Sequence, residues 1–364
     1  RFINAADLKK LMSEVERRRK TAQVAVPASP APQAVRRKFG QYEILESLSE
    51  AGRCRVLKAR DTIMDRILVL KVLPANIASN KQWFERFRRE VTLAGKLVHP
   101  NIVTAYGASE VEGCPLMAME FVDGTALGEK LDREGNLPEK TTWLMVREVA
   151  KALAYAAELG VVHRDIKPDN ILCSKDGRVK LIDLGLSKSL DDDSTLTAAG
   201  TTVGTPFYIS PEQARGTSQL DCRTDIYSLG CTAYHMLTGS VPFIGEALTD
   251  VMLAHTQAPR PDPRELLPEI SEASVRLVTR MMAINAEDRP ESAVELINEI
   301  DALIPALEEP QSFMRPVIKV APTELSMKPW KPSGKEAAPV QIKEASRIGT
   351  KISRFVDWLS NLFN

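Results

Sequence analysis

No sign of charge dominates this chain. Across 364 residues, 48 lysines and arginines face 48 aspartates and glutamates, so the formal net charge is zero and the pI is near 7.1. A dedicated nucleic-acid binder normally carries a strong basic excess, so that class is set aside. Paired cysteines are lacking too. Cys54, Cys114, Cys173, Cys222 and Cys231 are odd in number, and none forms a CxxC pair. A disulfide framework or a zinc site does not fit this usage. Small, half-buried thiols in a reducing, cytoplasmic setting do. There is also no apolar run long enough to span a bilayer, and no secretory signal. The chain opens on Arg1 rather than Met, as a fragment would. Membrane association through segments outside it is left open.

What is present is ordinary for a globular protein, with 44% hydrophobic and 26% charged residues. Its length allows two or three compact units. Residues 4–20 carry Leu8, Leu11, Met12 and Val15 on one helical stripe, and residues 21–35 have a linker composition. Near Tyr42 the period changes. Strand patterns occupy Tyr42–Glu46, Arg55–Ala59, Ile67–Leu73, Val103–Ala108 and Leu116–Val122, with one helix expected over 81–97. After Asp123-Gly124 helical patterns dominate, at about 126–133, 141–159, 223–238, 245–256, 271–283 and 291–303. Strands and then helices in separate blocks predict an α+β chain in two lobes.

The most specific signal is His163-Arg164-Asp165-Ile166-Lys167-Pro168-Asp169-Asn170. Phosphoryl transfer needs a carboxylate beside the acceptor hydroxyl, cations on the moving phosphate, and an oxygen ligand for Mg²⁺. This octapeptide supplies all three types, and it closely resembles the catalytic loop of protein kinases. Thirteen residues beyond Asn170, Asp183-Leu184-Gly185 resembles the kinase DFG motif with Leu for Phe. Ser210-Pro211-Glu212 resembles the APE motif. The stretch Gly204–Gly216 looks like the bacterial, Hanks-type Ser/Thr branch.

The resemblance covers about residues 41–303 and implies the two-lobed kinase fold, with a small antiparallel sheet and one helix in an N-lobe (41–121) and a mainly helical C-lobe (122–303). It implies Asp165 as the acceptor of the hydroxyl proton and Lys167 as the cation on the γ-phosphate. Lys71 would contact the α- and β-phosphates and be held by Glu90. Asn170 and Asp183 would bind Mg²⁺, or Mn²⁺ in its place. ATP would lie with its adenine between Val56, Val69 and Leu172, with Met119 at the back and Glu120 to Val122 giving backbone hydrogen bonds. Asp225 would brace the catalytic loop, and Arg289 would pair with Glu212. Arg164 would grip a phosphate on the activation segment, where Thr201 and Thr202 are the expected autophosphorylation sites. Thr205 is read as part of the substrate-binding loop. Partners are protein substrates, not nucleic acid.

The glycine-rich lid departs from the family. Its pattern GxGxxGxV falls on Ser49 to Val56, with Ser49, Ala51 and Cys54 at the three glycine positions and only Gly52 left for flexibility. Glycine lets backbone N–H groups approach phosphates with no Cβ in the way. Val69 also stands where the family usually has Ala. Arg53 and Arg55 are read as exposed surface arginines rather than as phosphate contacts. Two functions follow: an active Ser/Thr kinase with a compromised lid, or a pseudokinase scaffold with weak or no ATP turnover. The complete set Lys71, Glu90, Asp165, Lys167, Asn170 and Asp183 favours the first.

Outside the resemblance lie residues 1–40, an N-terminal helix and linker, and 304–364, a Pro-, Lys- and Glu-rich tail. The tail ends in 346–364, where Ile348, Ile352, Phe355, Val356, Leu359, Leu362 and Phe363 share one helical face. Docking on the kinase domain or on a partner is the favoured reading, with a membrane surface as the alternative.

Overall fold

The computed structural model describes residues 37–49, 53–183 and 206–307. The N-terminal helix, Ala51 and Gly52 of the lid, Thr201, Thr202 and Thr205, and the terminal amphipathic helix lie outside the described residues.

The N-lobe is a six-stranded antiparallel sheet in the order β1-β2-β3-β4-β6-β5. Its strands are β1 (Arg37–Phe39), β2 (Tyr42–Ser49), β3 (Arg55–Asp61), β4 (Arg66–Val72), β5 (Ala105–Val111) and β6 (Cys114–Glu120). Central β4 is buried on both faces at Leu68, Val69 and Leu70, as its unbroken apolar run requires. Between β4 and β5 come a single turn, α1 (Ala75–Ala78), and the lobe's one long helix, α2 (Lys81–Ala94). Asn80 caps α2, its side chain accepting from the Gln82 and Trp83 amides.

The C-lobe holds the larger core. A short sheet of β7 (Gly124–Ala126), β8 (Ile171–Ser174) and β9 (Val179–Leu181) lies beside α3 (Leu127–Glu134) and α4 (Glu139–Glu158). Then follow α5 (Pro211–Ala214), α6 (Cys222–Thr238), α7 (Leu248–Gln257), α8 (Glu272–Met281) and α9 (Ala293–Leu303). Helix α6 is buried from Thr224 to Tyr234 and forms the lobe's axis. Trp143 of α4 is fully buried, and its indole N–H donates to Ser274 Oγ at 2.6 Å, so the ring is buried without an orphaned donor. Among the described residues no helix is long and apolar enough to cross a membrane.

Several boundaries differ from the sequence reading. The strand expected at 103–108 is Ala105–Val111, and Val103 is tied to Leu181 of β9 instead. The Val103 amide donates to Leu181 O at 3.0 Å and Thr104 O accepts from the Glu120 amide at 2.9 Å. The helix expected from 245 begins at Leu248, after a loop so tight that a Cβ on Gly245 would lie 2.6 Å from Asp250 Cβ. Folded structure also passes both proposed domain edges. Strand β1 pairs with β2 inside the stretch read as linker, and Leu307, read as tail, is buried in the C-lobe core.

One buried group gives the C-lobe an acid-sensitive point. His235 of α6 is hydrogen-bonded to Tyr208 Oη at 2.7 Å, and burial pushes its imidazole down to about 4, against the pull of Asp132. The unfolded chain protonates this ring near its ordinary pKa, about 6.5. Its contribution is therefore complete above that pH and is lost as pH falls towards 4. The His235→Gln variant lacks this loss, and every other titrating group is common to both proteins. From pH 7 to pH 4 the protein should lose about 2–3 kcal/mol of stability relative to that variant, read from urea unfolding midpoints.

Candidate active site

The site is assembled from strand alternation, one helix face and one strained loop. On β4, Val69 and Lys71 are two residues apart and so share a face. Across the sheet Lys71 stands opposite Val56 and Met117, and Val69 opposite Met119. Val56, Val69, Lys71 and Met119 therefore line one side of the N-lobe sheet. Leu172, the expected residue on the other side of the adenine, lies in β8, where its strand partner is Ala126. The expected place for adenine is beside these residues and the connecting segment that follows β6 at Glu120. A cleft behind it is lined by Glu90, Met119, Ile182 and Asp183 among others. Ser49 ends β2.

Lys71 Nζ lies 2.6 Å from Glu90 Oε1 and 2.7 Å from Asp183 Oδ1. Burial works against the Lys71 charge, but Asp183 and Glu90 outweigh it and hold the ammonium above its ordinary pKa. The cation is thus fixed, charged and shared between the two lobes.

The catalytic-loop residues converge below it. Asp165 Oδ2 is 3.1 Å from Lys167 Nζ. Asn170 Nδ2 donates to Asp165 O at 2.7 Å and to Asp165 Oδ2 at 3.0 Å. With its nitrogen so committed, the Asn170 side chain has its oxygen left to serve as an acceptor or ligand. Ile182 N donates to Asn170 O at 2.9 Å, which places Asp183 beside the loop. An amide oxygen and a carboxylate form the all-oxygen donor set that a hard divalent cation prefers. Among the described residues no three His, Cys, Asp or Glu side chains are grouped to hold a metal unaided. A cation held here would need further oxygens, which a bound nucleotide's phosphates would offer.

The loop carries backbone strain where its chemistry lies. Arg164 and Asp183 have φ of 65° and 50°, the left-handed region that non-glycine residues seldom adopt. Asp225 of α6 holds Arg164 there. Its two carboxylate oxygens accept from the His163 and Arg164 amides, each at 2.7 Å. Complete burial pushes the Asp225 carboxyl up to about 7, against those two amides. His163 Nδ1 accepts from the Asp165 amide at 3.3 Å, so Nε2 is the protonated nitrogen and donates to Ile182 O at 3.1 Å.

Two partnerships escaped the sequence reading. Gln213 donates from Nε2 to Arg164 O at 2.9 Å, while its Oε1 accepts from the Ser210 amide at 3.1 Å. The capping-box spacing Ser210-x-x-Gln213 was the available signal. Lys180 is buried and pairs with Glu120 at 2.9 Å, so Glu120 contributes a side-chain tie to β9 as well as backbone to the connecting strand. A lysine inside the apolar triplet Val179–Leu181 was the clue. Arg53 is exposed, as read, but its guanidinium stacks 3.4 Å from the centroid of the Trp83 ring. Glu212 and Arg289 form the expected ion pair at 2.8 Å.

A small antiparallel sheet stands beside a helical lobe, with a lysine, two aspartates and an asparagine meeting between them, as the motifs predict. Residues 42–299 match the family model for the protein kinase domain, and the chain belongs to the protein kinase family. It is 36% identical over 260 residues to serine/threonine-protein kinase PknB of Mycobacterium leprae, covering 70% of this chain and 42% of that protein. It is 38% identical over 273 residues to serine/threonine-protein kinase pkn3 of Myxococcus xanthus, covering 72% and 50%. With PrkC of Bacillus subtilis it shares 34% over 261 residues, covering 72% and 40%. The chain therefore spans half or less of the length of these relatives. The kinase domain of Mycobacterium tuberculosis PknI superposes with a TM-score of 0.58 at 26% identity, covering 74% of this chain and 98% of that one. The two-lobed α+β fold and the bacterial Ser/Thr branch expected from the motifs are the fold and branch found.

Proposed function

We propose that this chain transfers the γ-phosphoryl group of ATP to Ser or Thr hydroxyls of protein substrates. The observation that carries the proposal is Lys71, bonded at once to Glu90 and to Asp183 across the cleft, above the cluster of Asp165, Lys167 and Asn170. Lys71 supplies a fixed positive charge for the inner phosphates. Asp165 accepts the proton of the attacking hydroxyl, and Lys167, 3.1 Å from it, neutralises charge on the moving group. Asn170 and Asp183 are the residues that would hold Mg²⁺, with Mn²⁺ as the substitute. Bound there, the ion supplies charge neutralisation on the phosphates. Lys167 two residues after Asp165 supports Ser and Thr, rather than Tyr, as acceptors.

The test is transfer of labelled γ-phosphate from ATP to the chain itself or to a generic basic protein. Label should appear with Mg²⁺ and vanish with EDTA. Peptide mapping of the labelled chain should find Thr201 or Thr202. Transfer absent with either Mg²⁺ or Mn²⁺ would return the chain to the scaffold reading, and label on neither threonine would remove the regulatory assignment alone.

A further inference from the structure

Helix α2 carries Glu90, and besides the Lys71–Glu90 ion pair it is held by Phe87, buried with Leu73 and Met117. Of its 14 residues only Arg86 and Phe87 are buried. These two contacts, Phe87 and Glu90, lie within one helical turn, so α2 could pivot about them. A further attachment lies two turns from Glu90. The Arg53 guanidinium is 3.4 Å from the centroid of Trp83, in the first turn of α2, and the Arg86 guanidinium is 4.4 Å from the same ring. The adjoining Cys54 packs with Phe87, Leu73 and Met117. Trp83, Phe87 and Glu90 stand at i, i+4 and i+7, so they share one helix face. Arg53 and Cys54 lead into β3, and β3 sets Val56 opposite Lys71 of β4. The sheet therefore meets this face of α2 at Trp83, Phe87 and Glu90 in succession.

We propose that Arg53 and Trp83 form a clasp that positions Glu90 against Lys71, which makes both of them positioning residues for nucleotide binding. The proposal rests on the kinase reading above. A guanidinium over an indole face is drawn to the negative side of the ring quadrupole and also covers apolar surface. One attachment lets a rigid helix swing, whereas two about 10 Å apart along its axis, at 1.5 Å per residue, fix its direction. The clasp also gives the Arg53 charge a partner other than phosphate.

The experiment measures binding of a non-hydrolysable ATP analogue with Mg²⁺ by calorimetry, alongside the thermal midpoint without nucleotide. Arg53→Met keeps the side-chain stem and removes the charge at an exposed position. Its dissociation constant should rise about three- to tenfold, with the midpoint unmoved. Arg53→Lys keeps a cation over the ring and should stay within about twofold of the parent. Trp83→Leu should repeat the loss, and adding Arg53→Met to it should change nothing further. The clasp is overturned if Arg53→Met binds as tightly as the parent, or if Arg53→Lys is as weak as Arg53→Met. It is equally overturned if weaker binding tracks a lower midpoint. A parent chain that binds no nucleotide overturns the kinase reading and the clasp together.

Discussion

Asp165→Asn should lower the rate of phosphoryl transfer by about 10²–10⁴-fold, the range for a positioned general base. Nucleotide affinity should stay close to that of the parent. Asn has the shape of Asp, and its side-chain oxygen can still accept from Asn170 Nδ2, which lies 3.0 Å from Asp165 Oδ2. What disappears is the negative charge that balances Lys167 at 3.1 Å and that, on the proposed mechanism, draws the proton from the attacking hydroxyl. The Lys71, Glu90 and Asp183 cluster, proposed to hold the nucleotide, is untouched by the change. Single-turnover transfer of labelled phosphate, paired with a binding isotherm, separates the two effects. Lost binding would show that Asp165 shapes the pocket instead. Undiminished transfer would remove it from the base role.

The parts of this site legible in sequence are those whose chemistry is written contiguously. His163 to Asn170 contains the proposed base, a cation and the proposed metal ligand within eight residues, because one strained loop presents all of them. Lys71 and Glu90 lie 19 residues apart on a strand and a helix, and only the resemblance linked them. Contacts that join distant segments by general-purpose residues stayed hidden. Gln213 reaches Arg164 across 49 positions, and Lys180 reaches Glu120 across 60, with nothing local to mark either pairing. Arg53 was placed correctly on the surface, but exposure does not say which ring lies beneath a guanidinium. The short strand β1 escaped for a different reason. Three residues are too few to show a period of two, and pairing with β2 defines it instead.

Removal of Arg289 should cost the C-lobe about 3–5 kcal/mol of stability. The side chain is 0% exposed, and its five N–H groups meet five acceptors. Nε donates to Ala283 O at 2.8 Å, and Nη1 to Glu212 Oε1 and Arg223 O, both at 2.8 Å. Nη2 donates to Glu212 Oε2 at 2.9 Å and to Ile284 O at 3.1 Å. Arg289→Met fills much of the volume but leaves three carbonyls without these donors. The Glu212 carboxylate, 17% exposed, keeps the Thr224 hydroxyl at 2.7 Å. Arg289→Lys should recover little, since three donors on a point charge cannot reproduce the planar fork. The deficit also has a pH signature. In the parent, burial tends to raise the Glu212 pKa, but Arg289 outweighs it and holds the carboxyl below its ordinary value. That contribution is present above the unfolded pKa, about 4.3, and is lost as pH falls below it. Without Arg289 burial acts alone and favours the neutral acid. Protonation then relieves the variant while it weakens the parent, so the gap between their urea midpoints should narrow as pH falls towards 4. A gap that is constant with pH would assign the cost to lost packing, and the combined Glu212→Met and Arg289→Met replacement would then be no better than Arg289→Met alone.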